Sequence, residues 1–145
     1  MDCFYVTLSS DSSKNYFTDN AISHFTTQLS RSICFSPSYE VAVCEVFLPS
    51  IETWKLASSL SPIFLYSDIS SPVLVGDTSA RLLRVLSPNI LSGHYLFSSP
   101  YYVPVERCNI SAITLSFNTK SGQRYPFPSG EFPSIVVLHF RKKSE

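Results

Sequence analysis

Glycine is scarce in this chain, 4 in 145 residues, and that scarcity removes a class of function at once. Phosphate-cradling loops of the Walker or Rossmann kind need several glycines in a short run, so that backbone N–H groups can approach the ligand. No such run is present. Charge is thin as well: Asp, Glu, Lys and Arg make up 15% of residues, against roughly 25% in ordinary soluble domains. The signs cancel to a formal net charge of +0. Nucleic-acid binding relies on clustered Lys and Arg set against phosphates, and the basic tract here is Arg141-Lys142-Lys143, which reads first as a solvated tail. No specific nucleic-acid partner is expected. No apolar run approaches the ~18–20 residues of a membrane-crossing helix. The opening Met1-Asp2-Cys3-Phe4 lacks the basic-then-apolar layout of a secretory signal. Synthesis inside the cell is therefore expected, with cysteines in the reduced state.

Cys3, Cys34, Cys44 and Cys108 are widely spaced with no C-x-x-C pair. A structural zinc site usually draws on two closely spaced pairs to build its tetrahedron, so the four read as small apolar core or strand residues. Serine is abundant, yet no G-x-S-x-G elbow presents one as a nucleophile. Glu40, Glu45, Asp68 and Asp77 can be posed as paired carboxylates, but each reads more simply as a strand-edge or turn residue. His24, His94 and His139 lie far apart without ligand spacing. His139, between Leu138 and Phe140 in an alternating run, reads as an outward-facing strand histidine. Asn109-Ile110-Ser111 matches a glycosylation sequon by chance, and Arg81, Arg84 and Arg107 are candidates for pairing across a subunit interface, with solvated arginines the default. The chain is expected to be no enzyme and to bind neither cofactor nor metal.

What is present is a run of strand signals. Hydrophobic residues are 44% and aromatics 14% of the chain, enough for one domain over residues 1–145 that buries about two-thirds of its unfolded surface. A thinly charged, aromatic-rich surface also fits partial coverage by protein partners, as well as it fits a serine-rich monomer. Phe4, Val6 and Leu8 share one face of a first strand. Residues 23–29 suit a strand better than a helix, because Thr-Thr and aromatics fit a pleated surface. Tyr39 to Phe47 is the clearest early strand, with Val41, Val43 and Phe47 on one face, Glu45 interrupting it and Pro49 stopping it. Ser50 to Pro62 reads as a connection with a helical turn around Trp54. Ile63 to Ile69 is apolar on both faces at its start and hence central.

Val73-Leu74-Val75 meets a turn at Gly76-Asp77, Ala80 to Leu86 reads as a strand, and Ser87 to Pro100 as a loop around Gly93. In the last third, Ile113, Leu115 and Phe117 alternate with Thr114 and Ser116, the period-two pattern of a half-buried strand. A polar turn follows at Asn118 to Gly122, then Gln123 to Phe127 and Ser134 to Arg141 continue the strand pattern. The fold class expected is all-β: a single jelly-roll sandwich of about eight antiparallel strands with little helix and Greek-key connections.

These blocks carry a resemblance. Phe4-Tyr5-Val6-Thr7-Leu8-Ser9-Ser10, Tyr16-Phe17-Thr18-Asp19-Asn20, Phe25-Thr26-Thr27-Gln28-Leu29 and Tyr39-Glu40-Val41-Ala42-Val43-Cys44-Glu45 are similar to the N-terminal half of the minor capsid (penton) proteins of Polinton/Maverick elements and adintoviruses. Tyr66-Ser67-Asp68-Ile69, Val75-Gly76-Asp77-Thr78, Leu82-Leu83-Arg84-Val85, Tyr102-Val103-Pro104-Val105, Gly122, Phe127, Gly130 and Leu138-His139-Phe140-Arg141 continue it in order. Ser98-Ser99-Pro100 and Phe132-Pro133 depart from the pattern, in loops rather than core. The resemblance implies a structural virion protein. It would form a homopentamer at the five-fold vertices of an icosahedral capsid, beside trimers of a double-jelly-roll major capsid protein. Its expected location is the virion, after synthesis inside the host cell and assembly in the nucleus.

A closed ring of identical copies needs a heterologous interface. Tyr101, Tyr102 and the loop around Trp54 are the candidate contacts, with core packing an equal explanation for each. The alternative is a jelly-roll module recognising a glycan or receptor, on a virion surface or free, with Trp54, Tyr95 and Tyr125 as aromatic platforms.

Overall fold

The computed structural model describes residues 3–34, 38–49, 62–87, 93–107, 109–127 and 133–143. Among these residues eleven strands follow one another: β1 (Cys3–Ser9), β2 (His24–Cys34), β3 (Tyr39–Phe47), β4 (Ile63–Ser67), β5 (Val73–Val75), β6 (Thr78–Ala80), β7 (Leu82–Leu86), β8 (His94–Leu96), β9 (Val103–Pro104), β10 (Asn109–Asn118) and β11 (Ile135–Lys142). No helix occurs among the described residues.

The strands form two antiparallel sheets. The first runs β1-β11-β3-β8, with β9 also paired to β3; the second runs β2-β10-β4-β7. β5 and β6 make a separate hairpin whose turn uses Gly76 at φ 61, a conformation that favours glycine. The chain repeatedly crosses from one sheet to the other, and its last strand inserts between the first and third. This is the jelly roll that the strand pattern implied.

The alternation explains why the sheets face each other. On β10, Ile113, Leu115 and Phe117 are fully buried while Thr114 and Ser116 point outward; on β11, Val136, Leu138 and Phe140 do the same against Val137 and His139. Leu8, Val41, Val43 and Val46 from the first sheet join Phe25, Ile63, Leu65, Leu83 and Leu86 from the second in one core. Each such side chain contributes roughly 1.5–3 kcal/mol on leaving water. β4, apolar on both faces, lies between β10 and β7 in the interior of its sheet. Tyr125, fully buried in the same core, has its phenol pushed up to about 12 by desolvation first and Tyr95 second.

Several expectations change. On β3 the partners step from Val43–Leu138 to Glu45–Val137, leaving Cys44 as an extra residue. This β-bulge shifts the phase of the strand, so Val46 enters the core and Phe47, expected beside Val41 and Val43, turns outward. The stretch taken as a loop around Gly93 contains β8, paired to β3 through Leu96, Tyr95 and His94. Gly93 itself lies against Leu48: its carbonyl accepts from the Leu48 N–H at 2.8 Å, and a Cβ built there would come within 1.8 Å of the Leu48 carbonyl oxygen. Residues 123–127 form no strand beyond an isolated bridge between Asn118 and Arg124; the segment instead folds Tyr125 inward. Cys3, Cys34 and Cys44 do lie on strands, but the first two are exposed and the third is only half-buried, so none is a core residue. Trp54 and Cys108 lie outside the described residues.

Candidate interaction surface

A sandwich uses its inward side chains for the core, so its chemistry toward other molecules sits on the two outer faces, the edges and the loops. The register assigns the outer face of the first sheet. Tyr5 lies opposite His139, Cys3 opposite Arg141 and Thr7 opposite Val137; Glu40 and Ala42 stand beside Arg141 and His139; and His94 and Leu96 lie opposite Phe47 and Glu45. Tyr5, Ala42, Phe47, Leu96 and Val137 share this face with Glu40, Glu45, Arg141 and two histidines. Leu96 is 71% exposed, Tyr5 66% and Phe47 38%, which leaves apolar area on this face available to a partner.

The charges on this face are paired within it. Arg141 Nε donates to Glu40 Oε1 at 2.7 Å, and its guanidinium lies 3.4 Å from the centre of the Tyr102 ring. Glu45 Oε2 lies 2.6 Å from His94 Nε2, and the His94 ring stacks on Phe47 at 4.5 Å. Tyr102 Oη is 2.7 Å from His139 Nδ1, and the Tyr5 ring lies 4.6 Å from that imidazole. Burial first, then the nearby Arg141 charge, push the His139 pKa down. Desolvation raises that of the Tyr102 phenol. Both shifts favour the neutral pair, in which the Tyr102 O–H donates to Nδ1. His139 is therefore the outward strand histidine expected, with a hydrogen-bonding role in the face.

Tyr101 and Tyr102, adjacent in sequence, serve different surroundings. Tyr102 lies over the outer face of the first sheet, half-buried by Arg141 and His139. Tyr101 is 64% exposed and receives the Arg84 guanidinium at 4.3 Å from its ring centre, Arg84 also lying 3.9 Å from Phe97 and donating to the Ser99 carbonyl at 3.0 Å. Neither tyrosine is a core residue. Of the other two arginines singled out in the sequence, Arg81 pairs with Glu106 at 2.8 Å and donates to the Ser70 carbonyl, and Arg107 lies 3.8 Å from Asp68. The Arg81–Glu106 contact raises the arginine pKa and lowers that of the carboxyl, the side-chain hydrogen bond being the first cause of each. All three arginines are thus engaged inside the chain.

Asp68 also accepts from the Thr114 N–H at 3.0 Å, and Asp77 sits in the β5–β6 turn, so the four acids singled out in the sequence occupy separate structural positions. His24 lies on the outer face of the second sheet, His94 and His139 on the first. Among the described residues no group of three or more His, Cys, Asp or Glu converges as a metal site. The aromatic platforms needed for glycan recognition do not form as expected: Tyr125 is fully buried, and Tyr95 shares the inward side of β8 with Val46, stacked on Phe97.

The outer face of the second sheet differs. Its β2–β10 half presents His24, Thr26, Gln28, Ala112, Thr114 and Ser116, with the Thr26 and Thr114 hydroxyls hydrogen-bonded at 2.8 Å. Aromatics return only at its far side, where Phe64 and Tyr66 of β4 stand beside Val85. The apolar outer positions of the first sheet were present in the sequence as Tyr5, Leu96 and Phe47. The bulge at Cys44 and the hidden strand β8 kept them from reading as one surface.

No family model matches the chain, and no curated protein matches it in sequence. Among solved structures it is similar to the crystal structure of the mavirus penton protein, with a TM-score of 0.63 and 11% sequence identity, over 97% of this chain and 99% of that one. At that identity the likeness is one of fold.

Proposed function

We propose that this chain is a structural capsid protein of the penton type, a minor capsomer related to those of the Polinton and adintovirus group. It closes into a homopentamer at the five-fold vertices of an icosahedral shell and meets a double-jelly-roll major capsid protein around its rim. It acts by assembly, without catalysis, and resides in the virion. The observation that carries this reading is the near-complete mutual coverage with the mavirus penton protein: one jelly roll accounts for essentially the whole of both chains. The ordered resemblance along the sequence supports the same conclusion.

The outer face of the first sheet, with Tyr102, Leu96, Tyr5 and Phe47, and the adjoining Tyr101, is the surface best suited to burial against a neighbouring copy. Arg141 and Glu40 compensate each other in place and the Glu45 carboxylate is hydrogen-bonded to His94, so covering it leaves no charge without a partner. Trp54 remains a further candidate contact. A rotationally closed ring places this face against a different surface of the next copy. Native mass spectrometry of the purified protein, followed by electron cryo-microscopy of shells made with the major capsid protein, tests the reading. A pentamer located at the vertices is the expected result. A strict monomer that fails to enter shells overturns it.

A further inference from the structure

The two sheets meet closely at one end of the flank formed by β1 and β2 and part toward the other. Along β1 the inward side chains go from fully buried Leu8 to half-buried Val6 and Phe4. Along β2 they go from fully buried Phe25 to half-buried Leu29 and Ile33. The opening is a cleft of about 690 Å³ between two sheet edges. Its walls include Phe4, Val6, Leu29, Ile33 and Tyr39, which also pack on the core, so the interior apolar surface is continuous with the cleft.

Two further features make this more than a gap in packing. The β2–β10 ladder jumps from Gln28–Ala112 to Ile33–Ile110, so Leu29, Ser30, Arg31 and Ser32 have no ladder partner on β10. Bulges of this kind re-aim backbone groups and occur preferentially beside functional sites. Among the described residues lining the cleft Arg31 is the single charged one; it is exposed and takes part in no ion pair among the described residues. The cleft therefore combines an apolar floor, the open edge of β2 and one cation with no ion-pair partner among the described residues.

We propose that the cleft between β1 and β2 receives an extended peptide segment of another protein, apolar at alternate residues and bearing a carboxylate that pairs with Arg31. An extended strand satisfies all three features together. Its backbone hydrogen-bonds along the open edge of β2, its alternate side chains enter the floor, and its acid meets the guanidinium in a charge-assisted, bidentate pair. The cleft volume lies within the range of pre-formed ligand sites, roughly 300–1,000 Å³. The proposal rests on this flank alone and stands whether or not the chain forms a ring.

The test begins with selection of random short peptides on phage against the purified protein, followed by anisotropy titration of the enriched sequences. The expected consensus alternates apolar residues and contains an Asp or Glu. Arg31→Glu weakens those peptides by about tenfold or more, Arg31→Lys weakens them less, and Leu74→Ala, on the exposed β5–β6 hairpin, leaves them unchanged. Hydrogen exchange with the peptide bound shows protection along residues 29–33. Arg31 is exposed, so both variants are expected to fold, and circular dichroism checks this. The proposal is overturned by no enrichment above background, or by peptides indifferent to Arg31→Glu and to Leu29→Arg. Protection of the cleft that rises with protein concentration in the absence of peptide overturns it too, by making the occupant a second copy of this chain.

Discussion

The outer face of the first sheet and the β2–β10 half of the second are built on the same inner pattern and carry opposite chemistry. On the first sheet the outward residues are Tyr5, Leu96 and Phe47 with two pairings locked in place, Arg141–Glu40 and His94–Glu45. On the β2–β10 half of the second they are Thr26, Thr114, Ser116 and Gln28. Hydroxyls and amides are satisfied by water, whereas exposed aromatics and leucine gain by being covered. The difference separates a face suited to solvent from one suited to a neighbour, although both sheets contribute inner side chains to one core.

The sharpest way to break the comparison is at the bulge that creates the first face. If Cys44 is the extra residue, Val46→Asp places a charge in the core and costs on the order of 4–5 kcal/mol, while Phe47→Asp costs less than about 1 kcal/mol. Thermal or urea unfolding followed by circular dichroism distinguishes them; a reversed order places Phe47 inside and removes it from the outer face.

Next in size is the effect on assembly. Leu96→Arg sets an unpaired charge where a neighbour is proposed to cover the sheet, a cost of about 3–5 kcal/mol, and raises the subunit dissociation constant by at least about 100-fold. Gln28→Arg on the hydroxyl-rich face leaves it unchanged. Native mass spectrometry over a dilution series checks both, and equal sensitivity of the two faces erases the distinction.

Smaller effects test the individual hydrogen bonds. Thr27, on the inner side of β2, has its hydroxyl buried without a hydrogen-bond partner among the described residues. Thr27→Val removes the orphan group at nearly constant shape and stabilises by about 1 kcal/mol. Tyr102→Phe takes the donor from His139 and destabilises by about 1 kcal/mol. Denaturant midpoints measured at constant slope report each change, and a loss in the first or a gain in the second contradicts the assigned partners.

The smallest effect is a pH dependence. His139 has a folded pKa below its ordinary 6.5, through burial and then Arg141. The unfolded chain therefore binds more protons in the window just below 6.5, and stability falls as pH drops through it toward the lowered folded value, then levels. His24 is shifted the same way by burial and Arg124, on the opposite face. His139→Gln should flatten the stability profile between neutral pH and pH 5 relative to wild type. An unchanged profile shows that the imidazole is not the group that titrates.

How much of this was legible depends on the kind of pattern. The alternation of Ile113, Leu115 and Phe117, or of Phe4, Val6 and Leu8, is local and states its own buried face. So is the turn at Gly76-Asp77 and the one ending at Gly122, whose φ is 91. β3 misled because a bulge shifts phase without changing residue type, and β8 because three residues between serine- and proline-rich stretches carry too little pattern of their own. β8 is a strand only because β3 offers it an edge. Tyr125 reads in the sequence as a surface aromatic beside proline turn signals; it is a core residue because its backbone N–H bonds the Phe117 carbonyl at 2.8 Å and its ring packs beside Phe127.

The sequence by itself determined that this chain is all-β, which positions alternate into its core, and that its charge is too sparse for a nucleic-acid partner to be expected. Those properties follow from residue type and spacing along a pleated strand. Only the tertiary structure decided which strands share a sheet, that Cys44 bulges so that Phe47 joins Tyr5 and Leu96 on one outer face, that Tyr102 meets His139 and Arg141, and that β1 and β2 part to leave Arg31 beside an apolar cleft. Each of these depends on contacts between segments tens of residues apart, where the pairing register, and not the local pattern, sets which side chains meet.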